Sequence, residues 1–238
     1  MRTEQKAWAR WMRVTVATAV LGSLPVAADA APIGVPAATT GAGKTALGGE
    51  VNVVIDRDLS SGNGEAESSQ IFAKGSIGVD ERLDVDFRIG FGDFGIDAPG
   101  GNTDADLGPA FGAGMRITWA SIPEANLKIG SVFQTMRIRA ENETSGARMS
   151  WTEYDAALGA AVDLSGPTDP KQRATQFGLV PYGGLAWSGL DLSGNPAEDD
   201  AFGVFLGLGA KAQGNVQFGA EIRLVDQTAL SVGASMAF

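Results

Sequence analysis

Alternation of apolar and polar residues, repeated in segment after segment, most limits what this chain can fold into. Between Leu83 and Phe91 every second residue is large and apolar, and the residues between them are charged or small. The same period of two returns over residues 111–119, 218–224 and 230–238. Successive side chains of a β-strand point to opposite faces, so this period predicts strands with one apolar and one polar face.

Ten segments of this kind follow one another, separated by turns rich in Gly, Asp, Asn and Pro. They span about residues 47–59, 70–80, 83–97, 109–120, 126–140, 148–164, 176–190, 201–212, 216–226 and 228–238. The fifth segment changes phase near Ser131, which a β-bulge would explain. An even number of alternating strands is typical of transmembrane barrels. We expect an all-β fold, a closed antiparallel up-and-down transmembrane β-barrel of ten strands, with eight strands as the alternative.

The connections between these segments are unequal in length. Most of the longer ones, residues 98–108 among them, fall at one end of the expected barrel, whereas tight turns such as residues 80–82 fall at the other. Outer-membrane barrels have long loops outside and short turns in the periplasm. Both chain termini are therefore expected on the periplasmic side.

The first thirty residues have the features of an export signal. Basic residues at positions 2, 6, 10 and 13 precede an apolar run over residues 14–24, and Ala28-Asp29-Ala30 is a small-x-small cleavage site. The apolar run is shorter than the ~20 residues of a membrane-spanning helix. We expect a signal peptide over residues 1–30, a flexible linker over residues 31–46 and the barrel over residues 47–238.

Composition restricts the chemistry that is open to the chain. It has no Cys and no His, which excludes thiol chemistry and removes the commonest general base. Residues 1–30 hold four of the 18 basic and two of the 28 acidic residues, which leaves 14 and 26, a net charge of −12. Nucleic-acid binding relies on basic patches. We expect no catalytic residues, no cofactor, no metal and no nucleic-acid partner.

Residues 181–238 resemble the bacterial outer-membrane β-barrel domain family, of which the small barrel of outer-membrane protein A is one type. The matching elements are Pro181–Ala186, Phe202–Gly203, Gly207–Lys211, Ala220–Asp226 and the closing strand. The closing strand is similar to the assembly signal of such proteins, with Ser231, Gly233, Met236 and Phe238 at its positions, although Met236 replaces an aromatic residue. The resemblance implies an outer-membrane location, contact with outer-membrane lipid and lipopolysaccharide, and insertion by the barrel-insertion machinery.

Three short motifs match binding patterns without the structural context that those patterns need. Residues 38–45 fit a relaxed phosphate loop, but no strand precedes them. Residues 90–95 fit a dinucleotide motif, but a turn follows instead of a helix. Residues 102–106 resemble the opening of a calcium loop whose twelfth position is Ala113 rather than Glu. Acidic residues in the outward loops are expected to keep them solvated, with bridging to lipopolysaccharide through Mg²⁺ or Ca²⁺ as the alternative.

The polar faces of the strands carry five basic and five acidic residues that should point into the barrel. They are Lys74, Asp84, Asp86, Arg88, Arg116, Glu153, Asp155, Lys211, Glu221 and Arg223. Charges in a narrow interior are costly unless paired, so we expect a neutral network that holds and plugs the barrel. Arg88 is expected to pair with Asp84 or Asp86. A charged ion path is the alternative.

Together these features predict an integral outer-membrane protein, structural or surface-exposed, monomeric, and with at most a narrow pore. A small-solute porin, a surface adhesin and a secreted soluble barrel that binds a lipophile remain as alternatives. The soluble barrel would need an apolar interior and a polar exterior.

Overall fold

The computed structural model describes most of the chain beyond the predicted signal peptide, which lies outside the described residues. The described residues are 33–59, 64–99, 101–165, 177–193, 195–196, 201–212, 215–224 and 227–238.

Ten long β-strands and one two-residue strand form the secondary structure of these residues, with a single turn of 3-10 helix at Pro123–Ala125. The strands are β1 Thr45–Asp58, β2 Glu65–Gly78, β3 Leu83–Ala98, β4 Gly101–Ile122, β5 Leu127–Glu141, β6 Arg148–Val162, β7 Gly178–Leu192, β8 Asn195–Pro196, β9 Ala201–Ala212, β10 Val216–Leu224 and β11 Gln227–Ala237. No helix in this part of the chain is long and apolar enough to cross a membrane.

The ten long strands close into a barrel. Each pairs antiparallel with the long strands before and after it, and β8 extends the end of β7. Closure comes from β1 and β11, which pair from Ala46 opposite Ala237 to Arg57 opposite Gln227. Each of the ten long strands that the structure describes thus has a partner on both sides, as a structure surrounded by lipid requires. The prediction of a closed, up-and-down barrel of ten strands is confirmed.

The strand β4 begins eight residues earlier than predicted, and this removes most of the expected loop 98–108. Beyond a bulge between Gly92 and Phe94 the β3–β4 ladder continues to the pair Ala98 and Gly101. This extension is polar because it lies beyond the apolar part of the wall, so alternation could not reveal it. Gly101, the first residue of β4, has a φ of 129°, which favours glycine.

The bulge expected in β5 near Ser131 lies on the neighbouring strand instead, and β5 pairs with β6 without a register shift. The apolar residues of β5 change face there because Val132, Met136 and Ile138 are buried in the lumen. The register between β4 and β5 shifts between Thr118 and Ala120, opposite Gly130 and Ile129. Trp119 is the extra residue, and its indole Nε1–H donates to the Ser131 hydroxyl at 3.0 Å on the outer surface.

The two faces of the wall have opposite polarity. On β3 the side chains of Phe87, Ile89 and Phe91 are exposed on the outside, with Ile89 71% exposed. Between them Asp86 and Arg88 are buried in the lumen. A soluble domain would bury the first set and expose the second, so this exterior is a lipid-facing surface.

Candidate functional site

Side chains and a segment of the chain occupy the lumen along its length, and these groups form the candidate site. We call the end where β1 begins and β11 finishes the terminal end, and the opposite end the loop end. Three zones follow one another between them. They are an apolar cluster at the loop end, a layer of ion pairs, and a segment of the chain at the terminal end.

The loop end is closed by buried apolar side chains from β2–β7 and by Leu59, which follows β1. Phe94 and Trp151 lie at the centre of this cluster with ring centroids 5.7 Å apart, and Phe72, Ile138 and Leu190 surround them. Trp151 and Ile138 are completely buried. The inward positions that elsewhere carry charges carry large apolar residues here, which excludes water from this part of the lumen.

Ion pairs occupy the layer next to this cluster. Arg88 Nε lies 2.5 Å from Glu50, and Lys74 Nζ lies 3.9 Å from the other oxygen of the same carboxylate. Arg223 lies 2.7 Å from Asp155 on the opposite wall. All five side chains are buried. Each charge thus has a counter-charge within a region that solvent does not reach, which offsets part of the cost of desolvation.

A further ion pair links two opposite sides of the barrel, β1 and β11 on one side and β6 and β7 on the other. Arg57 donates to Glu153 at 2.8 Å, to the Ser188 hydroxyl at 3.1 Å and to the Gln227 side chain at 3.3 Å. Its guanidinium also lies 5.9 Å from the ring centroid of Trp151. Arg57 therefore joins the ion-pair layer to the apolar cluster above it.

Toward the terminal end a third group forms around Arg116. Its guanidinium contacts both oxygens of Asp86, at 2.7 and 3.0 Å, which is the bidentate geometry of a strong charge-assisted pair. Ser76 donates its hydroxyl to Asp86 at 2.5 Å, and Asp84 lies 3.9 Å from the guanidinium.

Residues 33–40, predicted as part of a flexible linker, lie inside the barrel at the terminal end. The backbone N–H groups of Thr39 and Thr40 donate to Asp84 Oδ2 at 2.7 and 3.0 Å, and that of Gly34 donates to Glu221 at 3.0 Å. Ala38 donates its N–H to the Thr118 hydroxyl at 2.9 Å. We call residues 33–40 the inner segment.

Apolar contacts hold the inner segment as well. Ile33 is buried in a cluster with Val132, Val180, Tyr182 and Phe205. The prediction of a linker followed from the lack of periodicity, but a segment without side-chain periodicity can still be held through its backbone N–H groups. The last residues of the predicted linker, Thr45 and Ala46, belong to β1.

Nine of the ten charged residues predicted to face the lumen are buried there. The nine are Lys74, Asp84, Asp86, Arg88, Arg116, Glu153, Asp155, Glu221 and Arg223. The tenth, Lys211, lies at the terminal mouth with its side chain 44% exposed, and its Nζ is 2.5 Å from Asp163. Partial burial alone would raise the pKa of Asp163, but hydrogen bonds from Lys211 and Ser165 hold that pKa below its ordinary value. A cavity of about 230 Å³ lies beside this pair.

The pairing partners differ from those expected along one strand. Arg88 contacts Glu50 of β1 rather than Asp84 or Asp86 of its own strand. Asp86 forms its ion pair with Arg116 of β4. Glu50 and Arg57 are two lumen residues that the sequence analysis missed. A bulge between Val54 and Asp56 shifts the phase of β1, so simple alternation from Glu50 puts Asp56 rather than Arg57 inside.

The residues of the predicted assembly signal lie along β11. Ser231 is buried and donates to Asn52 at 2.5 Å, Gly233 pairs with Glu50 and Gly219, and Met236 is exposed on the outside. Phe238 follows the last strand residue, and its N–H donates to the Thr45 carbonyl at 2.8 Å. Its side chain is 67% exposed at the terminal end.

A closed ten-stranded barrel with an apolar exterior and a charged, filled interior is an outer-membrane β-barrel, and this fold places the protein in the outer membrane. No family model matches the sequence, and no curated protein matches it.

Solved structures that are similar to it share little sequence. The translocator domain of the autotransporter NalP from Neisseria meningitidis is 13% identical, with 99% of this chain and 97% of that chain covered and a TM-score of 0.46. The β domain of the Bordetella autotransporter BrkA is 15% identical, with 82% and 99% covered and a TM-score of 0.47. An outer membrane channel from Pseudomonas putida F1 is 13% identical, with 85% and 98% covered and a TM-score of 0.43.

Proposed function

We propose that this protein is a structural or surface-exposed outer-membrane barrel with a sealed lumen and no enzymatic activity. The observation that carries the proposal is the position of the inner segment, which fills the terminal end of a barrel whose loop end is closed by an apolar cluster. The protein then contributes its outer wall and its loops to the cell envelope rather than a path through it.

The contacts of the inner segment support a stable plug. Its backbone N–H groups bind two carboxylates of the barrel wall, and Lys128 donates to the Ala38 carbonyl at 3.0 Å. Pro36 and Ala37 are buried, and Ala37 has no exposed surface. These hydrogen bonds join the inner segment to β3, β5 and β10, so it is held at several points.

A small-solute porin is the main alternative, and the same features count against it. A porin needs a continuous aqueous path, whereas Trp151 and Phe205 lie completely buried inside the wall near opposite ends. A lipophile-binding soluble barrel would need an apolar lumen throughout, and charged pairs occupy the middle of this one. The described loop between β5 and β6, residues 142–147, is short for an adhesin.

The proposal also covers the type of barrel, its oligomeric state, its assembly and its lack of enzymatic activity. The resemblance of residues 181–238 to the domain family of outer-membrane protein A supports a small anchoring barrel. The pairing of each described long strand on both sides supports a monomer, and the exposed Phe238 ring after β11 supports recognition by the barrel-insertion machinery. The absence of His supports a protein without the general base that hydrolytic sites commonly use.

The sealed lumen can be tested by conductance in planar lipid bilayers. The unmodified protein should show little or no steady current, because the apolar cluster closes the loop end and the inner segment occupies the terminal end. A large and stable conductance would overturn the proposal in favour of the porin.

Cysteine reporters test the inner segment itself, and the chain has no Cys of its own. A Cys at Ala37 should resist a soluble maleimide in the folded, detergent-solubilised protein and react after denaturation. A Cys at Lys44, which is exposed just outside the mouth, should react in both states and serves as the matched control. Equal reaction at both positions in the folded protein would show that residues 33–40 do not occupy the lumen.

A further inference from the structure

Three arginines lie on the outer surface of the wall at the loop end. Arg137 and Arg139 alternate along β5 with Met136 and Ile138, which are buried in the lumen, so the two arginines face outward. Arg148 of β6 also faces outward, on the same side of the strand as Ser150, because Trp151 and Glu153 point into the lumen. We call Arg137, Arg139 and Arg148 the outer arginines.

The outer arginines line one groove. It has a volume of about 800 Å³ and runs over β4, β5 and β6, with Leu107 and Pro109 forming an apolar rim. Asp106 and Glu141 line it too, so the charged groups of the groove sum to +1 in a protein whose mature chain is acidic.

The guanidinium groups of the outer arginines have few acceptors within the described part of the protein. None of the outer arginines forms a salt bridge with another residue in the described part of the chain. Arg137 donates once, to the Ser150 hydroxyl at 3.4 Å, and its Nε is buried with no acceptor among the described atoms. Arg139 lies with its guanidinium 5.4 Å from the ring centroid of Phe111, which holds it flat against the wall. A buried N–H without an acceptor is costly, and an anion in the groove would remove that cost.

The groove lies where the apolar exterior ends. Toward the middle of the wall the same three strands expose Met115, Phe133 and Tyr154, which face lipid. The arginines therefore lie at the level where lipid headgroups meet the barrel. At the same end of the barrel the exposed side chains of Asp56, Asp58 and Glu65 on β1 and β2 cluster as acids. Positive charge at the headgroup level is thus concentrated on the β4–β6 side.

We propose that the outer arginines bind the phosphate groups of an anionic lipid in the leaflet at the loop end. With the loop end directed out of the cell, as the sequence predicts, that lipid is lipopolysaccharide. Guanidinium groups bind phosphate oxygens through paired N–H donors, and acyl chains would lie against Leu107 and the apolar wall below. The site lies on the outer surface and does not involve the lumen. A negative result for lipid binding would therefore leave the proposal of a sealed lumen unaffected.

The experiment compares the full-length protein with a variant that carries Arg137→Gln, Arg139→Gln and Arg148→Gln. Binding of a short-chain lipopolysaccharide with intact phosphates, in detergent, should weaken by at least about tenfold in the variant. Arg82→Gln, in an exposed turn at the terminal end, is the matched control and should bind as the unmodified protein does. Equal affinity for the triple variant and the unmodified protein would overturn the proposal.

Two further arms identify the ligand. Dephosphorylated lipid should bind the unmodified protein as weakly as intact lipid binds the triple variant, and equally tight binding would show that phosphate is not recognised. Inorganic phosphate at millimolar concentration should not displace the lipid, and displacement would assign the groove to a soluble anion instead. Heat-modifiable gel mobility checks folding. Should the triple variant not fold, the pair Arg139→Gln and Arg148→Gln replaces it, since both side chains are exposed, and the same loss of affinity is expected.

Discussion

Arg88 on β3 donates its Nε–H to Glu50 on β1 at 2.5 Å, although β2 lies between these two strands in the sheet. The contact is possible because the barrel wall curves and brings inward side chains of next-nearest strands together. Lys74 on the intervening strand lies 3.9 Å from the same carboxylate. One acid therefore ties three consecutive strands together from the inside.

Removal of one partner of this pair should destabilise the barrel strongly. We expect Arg88→Ala to cost about 3–5 kcal/mol, because the Glu50 carboxylate then stays buried without its main counter-charge. Urea unfolding in lipid vesicles, followed by tryptophan fluorescence, measures the free energy. Arg82→Ala, in an exposed turn, is the matched control and should leave stability unchanged. Recovery of much of the lost stability by the double variant Arg88→Met and Glu50→Met would confirm that the stranded charge is the cause, and no recovery would contradict it.

The lipid-facing surface can be tested at Ile89, which is 71% exposed on the outside of β3. Ile89→Arg should lower the free energy of unfolding in vesicles by about 2–4 kcal/mol if the residue lies near the bilayer midplane. Ile89→Leu keeps an apolar side chain there and should change little. In a detergent micelle, where water is closer, the cost of the arginine should shrink. If Ile89→Arg lowered the free energy of unfolding in vesicles as little as Ile89→Leu does, this face would not contact lipid.

Gly90 should not tolerate a side chain. A Cβ at this inward position would overlap the backbone carbonyl oxygen of Ile71, so a wall strand must move to admit it. We expect Gly90→Ala to cost about 1–3 kcal/mol, as other overpacked sites do. Gly75→Ala is the matched control, because the nearest atom to its Cβ would be a Leu47 methyl at 3.8 Å. Equal stability of the two variants, measured by the same unfolding titration, would show that the β2–β3 contact relaxes freely.

Deletion of Phe238 should impair assembly more than stability. The residue contributes one backbone hydrogen bond to Thr45 and an exposed ring, so little of the folded barrel depends on it. Removal of the ring should leave unfolded protein in the periplasm, while refolding into detergent stays nearly normal. Cell fractionation and refolding yield measure the two effects. Deletion with normal amounts of folded protein in the outer membrane would contradict a role in the assembly signal.

The orientation of the barrel can be tested with single cysteines. A Cys at Ser145, exposed in the β5–β6 loop, should react with a membrane-impermeant maleimide on whole cells. A Cys at Glu81, exposed in the β2–β3 turn, should react only after the cells are opened. The reverse pattern would place the chain termini outside the cell and would assign the outer arginines to the inner leaflet.

The amino-acid sequence by itself determined the wall of this barrel. Alternation is a local property, because each residue's side relative to its neighbours follows from the pleat of the strand. The faces of β3, β4, β10 and β11 could therefore be assigned before any partner was known. The strand number followed from the turns between segments, and nine of the lumen charges followed from their place on the polar face. The sequence-based assignment failed in two places. A bulge resets the phase of β1 before Arg57, and the polar start of β4 extends beyond the apolar part of the wall.

Tertiary structure alone decided what fills the barrel. The partner of Arg88 depends on how neighbouring strands are staggered and how tightly the wall curves, and neither quantity is encoded in the alternation of one strand. The inner segment has no apolar period to mark it as buried. Its place follows from Asp84 and Glu221, which become acceptors for its N–H groups only when closure brings β3 and β10 around the same space. Pairing across the lumen is a long-range contact, whereas alternation along a strand is a short-range one, and only the second can be read along the chain.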